Sequence, residues 1–258
     1  MQPIRRLAPA EYPRLEQALG DTPATVIPLH QLRIGAATAT CVGPVNAPDA
    51  VVIQANAEPT AFATDAAAGA AAVAAILSTL HDWYCVECAA DLGTALAAHY
   101  AQTQVACRLY ADLYYTLAGP LRALPPPPLE TRLLTLADIP AWRAAPPEFQ
   151  ELGFAAPVHV LARGHAAGSF AHGKLVALAH TSALSARYAD VGVYTAPDYR
   201  GRGLAAAVAH LVMQRVLAQG RTPLWSTGED NLASQRVAHK LGLETALQRV
   251  YVILDSRA

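Results

Sequence analysis

Asp190-Val191-Gly192-Val193-Tyr194-Thr195 and, just beyond it, Pro197-Asp198-Tyr199-Arg200-Gly201-Arg202-Gly203-Leu204-Ala205-Ala206 form the most informative stretch of this 258-residue chain. The first six residues are β-rich and predict a strand, Pro197-Asp198 marks a turn, and the apolar run from Leu204 predicts a helix to about Gln219. Small residues at such a junction leave several backbone N–H groups facing one concavity at the positive end of the helix dipole. Gly201 and Gly203 can take positive φ and admit a close ligand, while Arg200 and Arg202 can add charge-assisted bonds to phosphate oxygens. The stretch reads as an anion site.

The same residues admit other readings. Gly201-x-Gly203-x-x-Ala206 satisfies the dinucleotide-binding fingerprint, but that loop normally follows the first of several βα units, and only about 50 residues remain here. An arginine-glycine nucleic-acid tail would be repeated and unstructured, whereas this instance is single and framed by regular elements. A tight helix start with solvated arginines is the reading that needs no ligand.

Further along come Asn231-x-x-Ser234 and Lys240-Leu241-Gly242-Leu243. Arg200-x-x-Gly203-x-Ala205 resembles the pyrophosphate-binding signature of the Gcn5-related N-acetyltransferase (GNAT) superfamily, and the two later segments resemble its second motif. The resemblance covers about residues 189–254 by motif and 130–188 by strand pattern. It implies an α/β (α+β) GNAT fold, a mixed central sheet flanked by helices, and acetyl-coenzyme A as acyl donor. The reaction implied is direct transfer of an acetyl group to an amine of a small molecule or peptide. On this resemblance the backbone of Val193, Tyr194 and Thr195 would pair with the pantetheine arm like an added strand. Amides of Arg200, Gly201, Arg202, Gly203, Leu204 and Ala205 would hold the pyrophosphate, with Asn231 and Ser234 beside the pantetheine and thioester. The family's usual acid, a tyrosine seven residues after the motif asparagine, is replaced by Ala238, which leaves Tyr251 on the last strand, or water, to serve the leaving thiolate. Asp190 is the candidate base, with a solvated strand-end carboxylate as the alternative; His180 is a weaker candidate. No metal is implied.

Composition sets the outer limits. The chain is 53% hydrophobic and carries a formal net charge of -1, the opposite of a disordered chain, and offers no general attraction to nucleic acid or anionic membranes. Its most apolar stretch, residues 66–77, is short and mostly alanine, where a membrane span needs about 20 residues. Arg5 and Arg6 lead into Ala10, Glu11 and Tyr12 with no apolar signal-peptide core, so a cytoplasmic location is expected.

Pro125-Pro126-Pro127-Pro128 interrupts the chain near its middle and is read as a stiff spacer. It separates an expected degenerate GNAT-like domain, residues 1–124, from an expected acetyl-coenzyme A-binding domain, residues 129–258. A shift of 127 lays Leu7 to Pro13 over Leu134 to Pro140, and a shift of 140 lays Asp91-Leu92 and Ala98-His99 over Asn231-Leu232 and Ala238-His239. The halves are therefore read as a duplication. In the first, the stretch before Asp65, Glu58 to Thr64, has no glycine pair and no arginine. That half is expected to leave the cofactor alone and to shape the acceptor cleft or a subunit contact, as in a homodimer. Strands are predicted at 50–54, 83–86, 157–162, 174–181, 190–195, 224–227 and 248–254, with a hairpin turn at His172-Gly173, and helices at 65–80, 91–102 and 232–241 besides that from Leu204.

A rival class rests on Trp83-Tyr84-Cys85-Val86-Glu87-Cys88, a CxxC read at a strand-to-helix junction where a helix dipole would lower a thiol pKa. Buried, inert thiols are the alternative. Cys41, Cys107, His81 and His99 have no zinc-finger spacing. A coenzyme-A-binding protein without turnover is the remaining alternative.

Overall fold

The computed structural model describes residues 2–150 and 156–255. The first half runs β1 (Ile4–Arg6), α1 (Tyr12–Leu19), α2 (Val26–Arg33), β2 (Thr38–Val42), β3 (Ala50–Gln54), β4 (Thr60–Ala63), α3 (Ala66–Leu77), β5 (Cys85–Ala89), α4 (Ala90–Gln102), β6 (Cys107–Leu117). The second runs β7 (Glu130–Leu133), α5 (Ile139–Arg143), α6 (Pro157–Arg163), β8 (Ala166–Ala171), β9 (Lys174–Leu184), β10 (Tyr188–Thr195), α7 (Leu204–Ala218), β11 (Thr222–Gly228), α8 (Leu232–Leu241), β12 (Leu243–Leu254). Strands and helices follow one another identically in the two halves. The repeat seen weakly in sequence is thus repeated in element order.

The chain divides into two compact units, residues 1–113 with 247–258, and residues 114–246. This differs from the expected 1–124 and 129–258: β12 from Leu247 onward belongs to the first unit, and β6 is divided after Leu113. In the first unit the sheet order is β1-β2-β3-β4-β5-β12. There Arg249 faces Ala89 and Ile253 faces Cys85 across an antiparallel pair, which removes an exposed β5 edge. In the second unit the order is β7-β8-β9-β10-β11, followed by the end of β6, whose Thr116 hydroxyl donates to the Pro223 carbonyl at 3.1 Å.

Each sheet is covered on both faces. In the first unit α3 packs with Val52, Val86 and Leu92 on one face, and Leu15, Leu29 and Leu32 pack on Val51 and Ile53 on the other. The alanine-rich α3 lies so close to the sheet that a Cβ added to Gly69 would stand 2.3 Å from the Ala63 Cβ. Its small residues are there for close packing. In the second unit, α7 buries Val208, Val212 and Met213, while Trp142, Phe149 and Val160 pack on Phe170 and Leu178.

Two expectations change here. Residues 157–162, read as a strand, are helix α6, with Pro157 at the first helical position. There proline's fixed φ suits the helix and its missing N–H costs nothing. The proline run is no spacer between units. It lies inside the second one, where Leu124 to Pro127, Thr131 and the α7 residues Ala207, His210 and Leu211 line a cavity of about 240 Å³. The preceding segment is pinned by the Arg122 amide, which donates to the Leu241 carbonyl at 3.0 Å. The hairpin turn at His172-Gly173 is as read, with φ of 50° and 75°.

Candidate active site

The site in the second unit begins as a gap between strands. β10 and β11 are parallel, and their pairing covers Tyr188, Ala189 and Asp190 against Thr222, Pro223 and Leu224 only. β10 stays paired with β9 on to Thr195, and β11 continues to Gly228. Beyond Asp190 the two strands therefore diverge into a wedge, one wall of which is the run Val191 to Thr195. Every second residue of that wall turns its N–H and C=O toward the opening, spaced to receive an extended amide-bearing chain.

At the mouth of the wedge stands the glycine loop. Gly201 and Gly203 have φ of 75° and 81°, and Gly203 is the N-cap of α7 with no side-chain cap. The first-turn amides of α7, which have no intrahelical partners, are thus available to an anion. The two arginines fold back on the loop. Arg200 Nε donates to the Thr195 carbonyl at 3.1 Å and Arg202 donates to the Asp198 carbonyl at 2.9 Å, while their guanidiniums lie 5.8 Å and 5.2 Å from the rings of Tyr194 and Tyr199. They brace the loop's shape. The cation beside it is one the sequence reading quoted without assigning: Lys240 Nζ lies 3.5 Å from where a Cβ on Gly203 would be. It is delivered by α8, whose last turn is closed by Gly242 at φ 91° with Arg122 packed where a side chain would sit.

At the apex of the wedge is Asp190. The β9–β10 register slips between Asp190 and Val191, so Ser182 bulges out of the ladder, and its hydroxyl donates to Asp190 Oδ2. The other carboxylate oxygen is buried without a partner. Burial drives the carboxyl up to about 6, against the opposing effect of the Ser182 bond. His180 faces Gly192 across the same strand pair, 6.0 Å from the Trp142 ring. Burial holds it down to about 4, so it is neutral at pH 7, with both ring nitrogens unpartnered.

The remaining sequence candidates have other occupations. Asn231 caps α8, its side-chain oxygen accepting from the Ser234 amide at 3.1 Å, and the Ser234 hydroxyl accepts from the Trp225 indole at 2.9 Å. Ala238 is buried. Tyr251 belongs to the first unit, opposite Glu87. Burial and the nearby Glu87, Asp112 and Glu58 hold its phenol far above the usual tyrosine range. Those surroundings weaken it as an acid.

The first unit shows what the same plan becomes without a loop. β4 and β5 share one register pair, Thr60 with Glu87. Past it the Arg249 side chain bonds Glu87 Oε1 at 2.7 Å and the Ala61 carbonyl at 3.4 Å, with its guanidinium 5.0 Å from the Phe62 ring. At the start of α3 the N-cap is Asp65, whose carboxylate accepts from the Ala68 amide at 2.7 Å. A built-in anion stands where the other helix leaves its first turn open. The two cysteines of the CxxC lie on β5, three residues apart and so on opposite faces. Burial pushes both thiols up to about 12. Dithiol chemistry of the expected kind, which needs a lowered pKa, is not supported.

Among the described residues no group of three or more His, Cys, Asp or Glu side chains is placed to hold a metal, and no helix is long and apolar enough to cross a membrane. A parallel strand pair opened as a wedge, with a glycine loop and helix start at its mouth, is the geometry of the second unit's site. Residues 151–252 match the model of the GNAT acetyltransferase family.

Solved structures extend the likeness of fold to nearly the whole chain. A GCN5-related N-acetyltransferase-like protein from Streptococcus suis is 17% identical, with 95% of this chain and 98% of that one covered at a TM-score of 0.68. A GNAT-family acetyltransferase from Colwellia psychrerythraea is 15% identical, covering 98% and 99% at 0.63. A tandem GNAT protein from the clavulanic acid biosynthesis pathway is 15% identical, covering 99% of each chain at 0.60. No curated protein matches the sequence.

Proposed function

We propose that the chain transfers an acetyl group from acetyl-coenzyme A to an amine, and that the second unit holds the donor. The observation that carries this is the wedge between β10 and β11, open from a basic amide loop at its mouth to a buried carboxyl at its apex. Loop amides and Lys240 would hold the pyrophosphate, and the backbone of Val193 to Thr195 would align the pantetheine arm so that the thioester reaches the apex. The thioester supplies the activated acyl group. Asp190 takes a proton from the acceptor ammonium, directly or through one water; the freed amine forms the C–N bond as the C–S bond breaks, and the nitrogen, cationic once bonded to the acyl carbon, gives up its second proton to solvent to leave the neutral amide. The thiolate is then protonated from solvent, since Ala238 offers no acid. The first unit, its wedge filled by Arg249 and its helix start by Asp65, is assigned no donor.

Asp190 must be ionised to accept a proton, so turnover should rise as pH increases through about 6. Asp190→Asn is expected to lower kcat by about a hundredfold or more and to abolish that rise, while leaving acetyl-coenzyme A binding by calorimetry within about twofold. The folded pKa is raised, so the native state holds this proton longer than the unfolded chain. Stability should accordingly fall between about pH 4 and pH 6, and fall less in Asp190→Asn. A wild type that binds no acetyl-coenzyme A would remove the reading altogether. Binding without turnover on a panel of amines would leave a coenzyme-A-binding protein in its place.

A further inference from the structure

The first unit contains a cleft of about 940 Å³ that the acyl-transfer reading does not use. Its walls are β1, β2, the end of β3 with the following loop, and the segment leaving α3. Three observations give it chemistry. The first is a pair of opposite charges. Arg6 and Asp82 both line the cleft, and among the described residues neither side chain makes a hydrogen bond or ion pair, with the other or with anything else. The neighbouring Arg5, by contrast, is paired with Glu11 at 2.6 Å.

The second is backbone strain at one of these two residues. Asp82 has φ of 54°, in the left-handed region that non-glycine residues seldom occupy. It is over-determined by its surroundings: the buried Trp83 indole donates to the Leu77 carbonyl at 3.0 Å, and the Gln54 amide donates to the His81 carbonyl at 2.8 Å. These bonds tie the α3 exit to β3 and hold the backbone from which the exposed Asp82 side chain extends. The third is the lining between the charges, which includes the hydroxyls of Thr38 and Thr40 and no Phe, Tyr or Trp. Arg6 stands opposite Thr40 in the β1–β2 pair. The hydroxyls can bond a polar ligand beside the aliphatic Ile4 and Leu80, and the walls give no aromatic ring for a nucleobase to stack on.

We propose that this cleft binds a small zwitterion, its carboxylate held by Arg6 and its ammonium by Asp82. A free amino acid and a short peptide share that chemistry and differ in the distance between their charges. A fork-shaped guanidinium matches a carboxylate's two oxygens, and two charges of opposite sign discriminate against ligands carrying only one. The cleft lies within the first unit, so the proposal stands or falls separately from the acyl-transfer reading.

The test is calorimetric titration of the full chain with L-alanine and with glycylglycine, beside acetate and ethylammonium as single-charge controls. At least one zwitterion is expected to bind with a Kd of about a millimolar or tighter, and each control about tenfold weaker or worse. Arg6→Gln and Asp82→Asn should each weaken it by about tenfold; asparagine tolerates the left-handed backbone, and unchanged melting curves would show both variants folded. Preference for L-alanine points to an amino acid, and preference for glycylglycine to a peptide. Saturation by neither zwitterion below about 10 mM, acetate binding as well as both, or unchanged affinity in both folded variants would each overturn the proposal. Acetyl-coenzyme A, titrated in parallel, should bind all three proteins alike.

Discussion

Replacing Gly203 with glutamate is expected to abolish saturable binding of acetyl-coenzyme A, a loss of at least about a hundredfold, or about 2.7 kcal/mol. Two effects combine. The residue sits at φ 81°, where any side chain strains the loop by about 1 to 3 kcal/mol. The new carboxylate would also arise beside Lys240 Nζ, 3.5 Å from the Cβ position, neutralise that cation and turn an anion toward the α7 amides. The chain already contains this arrangement: Asp65 at the start of α3 fills the equivalent position in the first unit. Gly203→Ala isolates the backbone and should cost less, and Lys240→Ala isolates the charge and should weaken binding by about tenfold. Isothermal titration distinguishes them. If Gly203→Glu binds as the wild type does, the pyrophosphate is not held at this loop.

The glycine loop was legible because its chemistry is local: two glycines, a strand before and a helix after are adjacent in sequence, and φ of 75° and 81° are what those glycines permit. The apex was legible only as a residue name. Asp190 could be picked as a strand-start carboxylate, but its burial depends on strands and helices far from it in sequence, and its Ser182 partner depends on a bulge that no pattern in β9 announces. Lys240 stood in a quoted motif, yet only the approach of α8 to the α7 start gives it a role. Tyr251 stands in the first unit, opposite Glu87, a placement its own segment does not announce because strand order is a tertiary property. The proline run suggested a boundary because proline ends regular structure, whereas the compact units are set by which strands pair. Helix α6 resembles a strand in sequence because Val158, Val160 and Leu161 favour either state, while Pro157 marks its helical start. Strand β8, Ala-Ala-Gly-Ser-Phe-Ala, carries almost no β propensity and is made a strand by its neighbours β7 and β9.

Arg249→Met should strongly destabilise the first unit. Arg249 and Glu87 are both almost fully buried, and the pair is made at 2.7 Å with Thr60 completing the carboxylate's bonds at 3.2 Å. Two buried charges so paired contribute little beyond what well-packed apolar residues would, but removing one leaves the other unpaired in a low dielectric, which costs about 3 to 5 kcal/mol. At this chain length that corresponds to a melting-temperature fall of about 6 to 20 °C. Arg249→Met with Glu87→Leu should recover most of the loss, because no buried charge remains; a merely steric role for Arg249 would give no recovery. The same arginine secures the C-terminal strand, so the loss has a location. Amides of Val250 to Ile253 and of β5 should lose protection against hydrogen exchange in the single variant, while those of β9 and β10 in the second unit keep theirs. A loss under about 1 kcal/mol, or one spread evenly over both units, would mean that Arg249 does not tie β12 to the first unit, and that its contact with the Ala61 carbonyl does not keep the β4–β5 wedge closed.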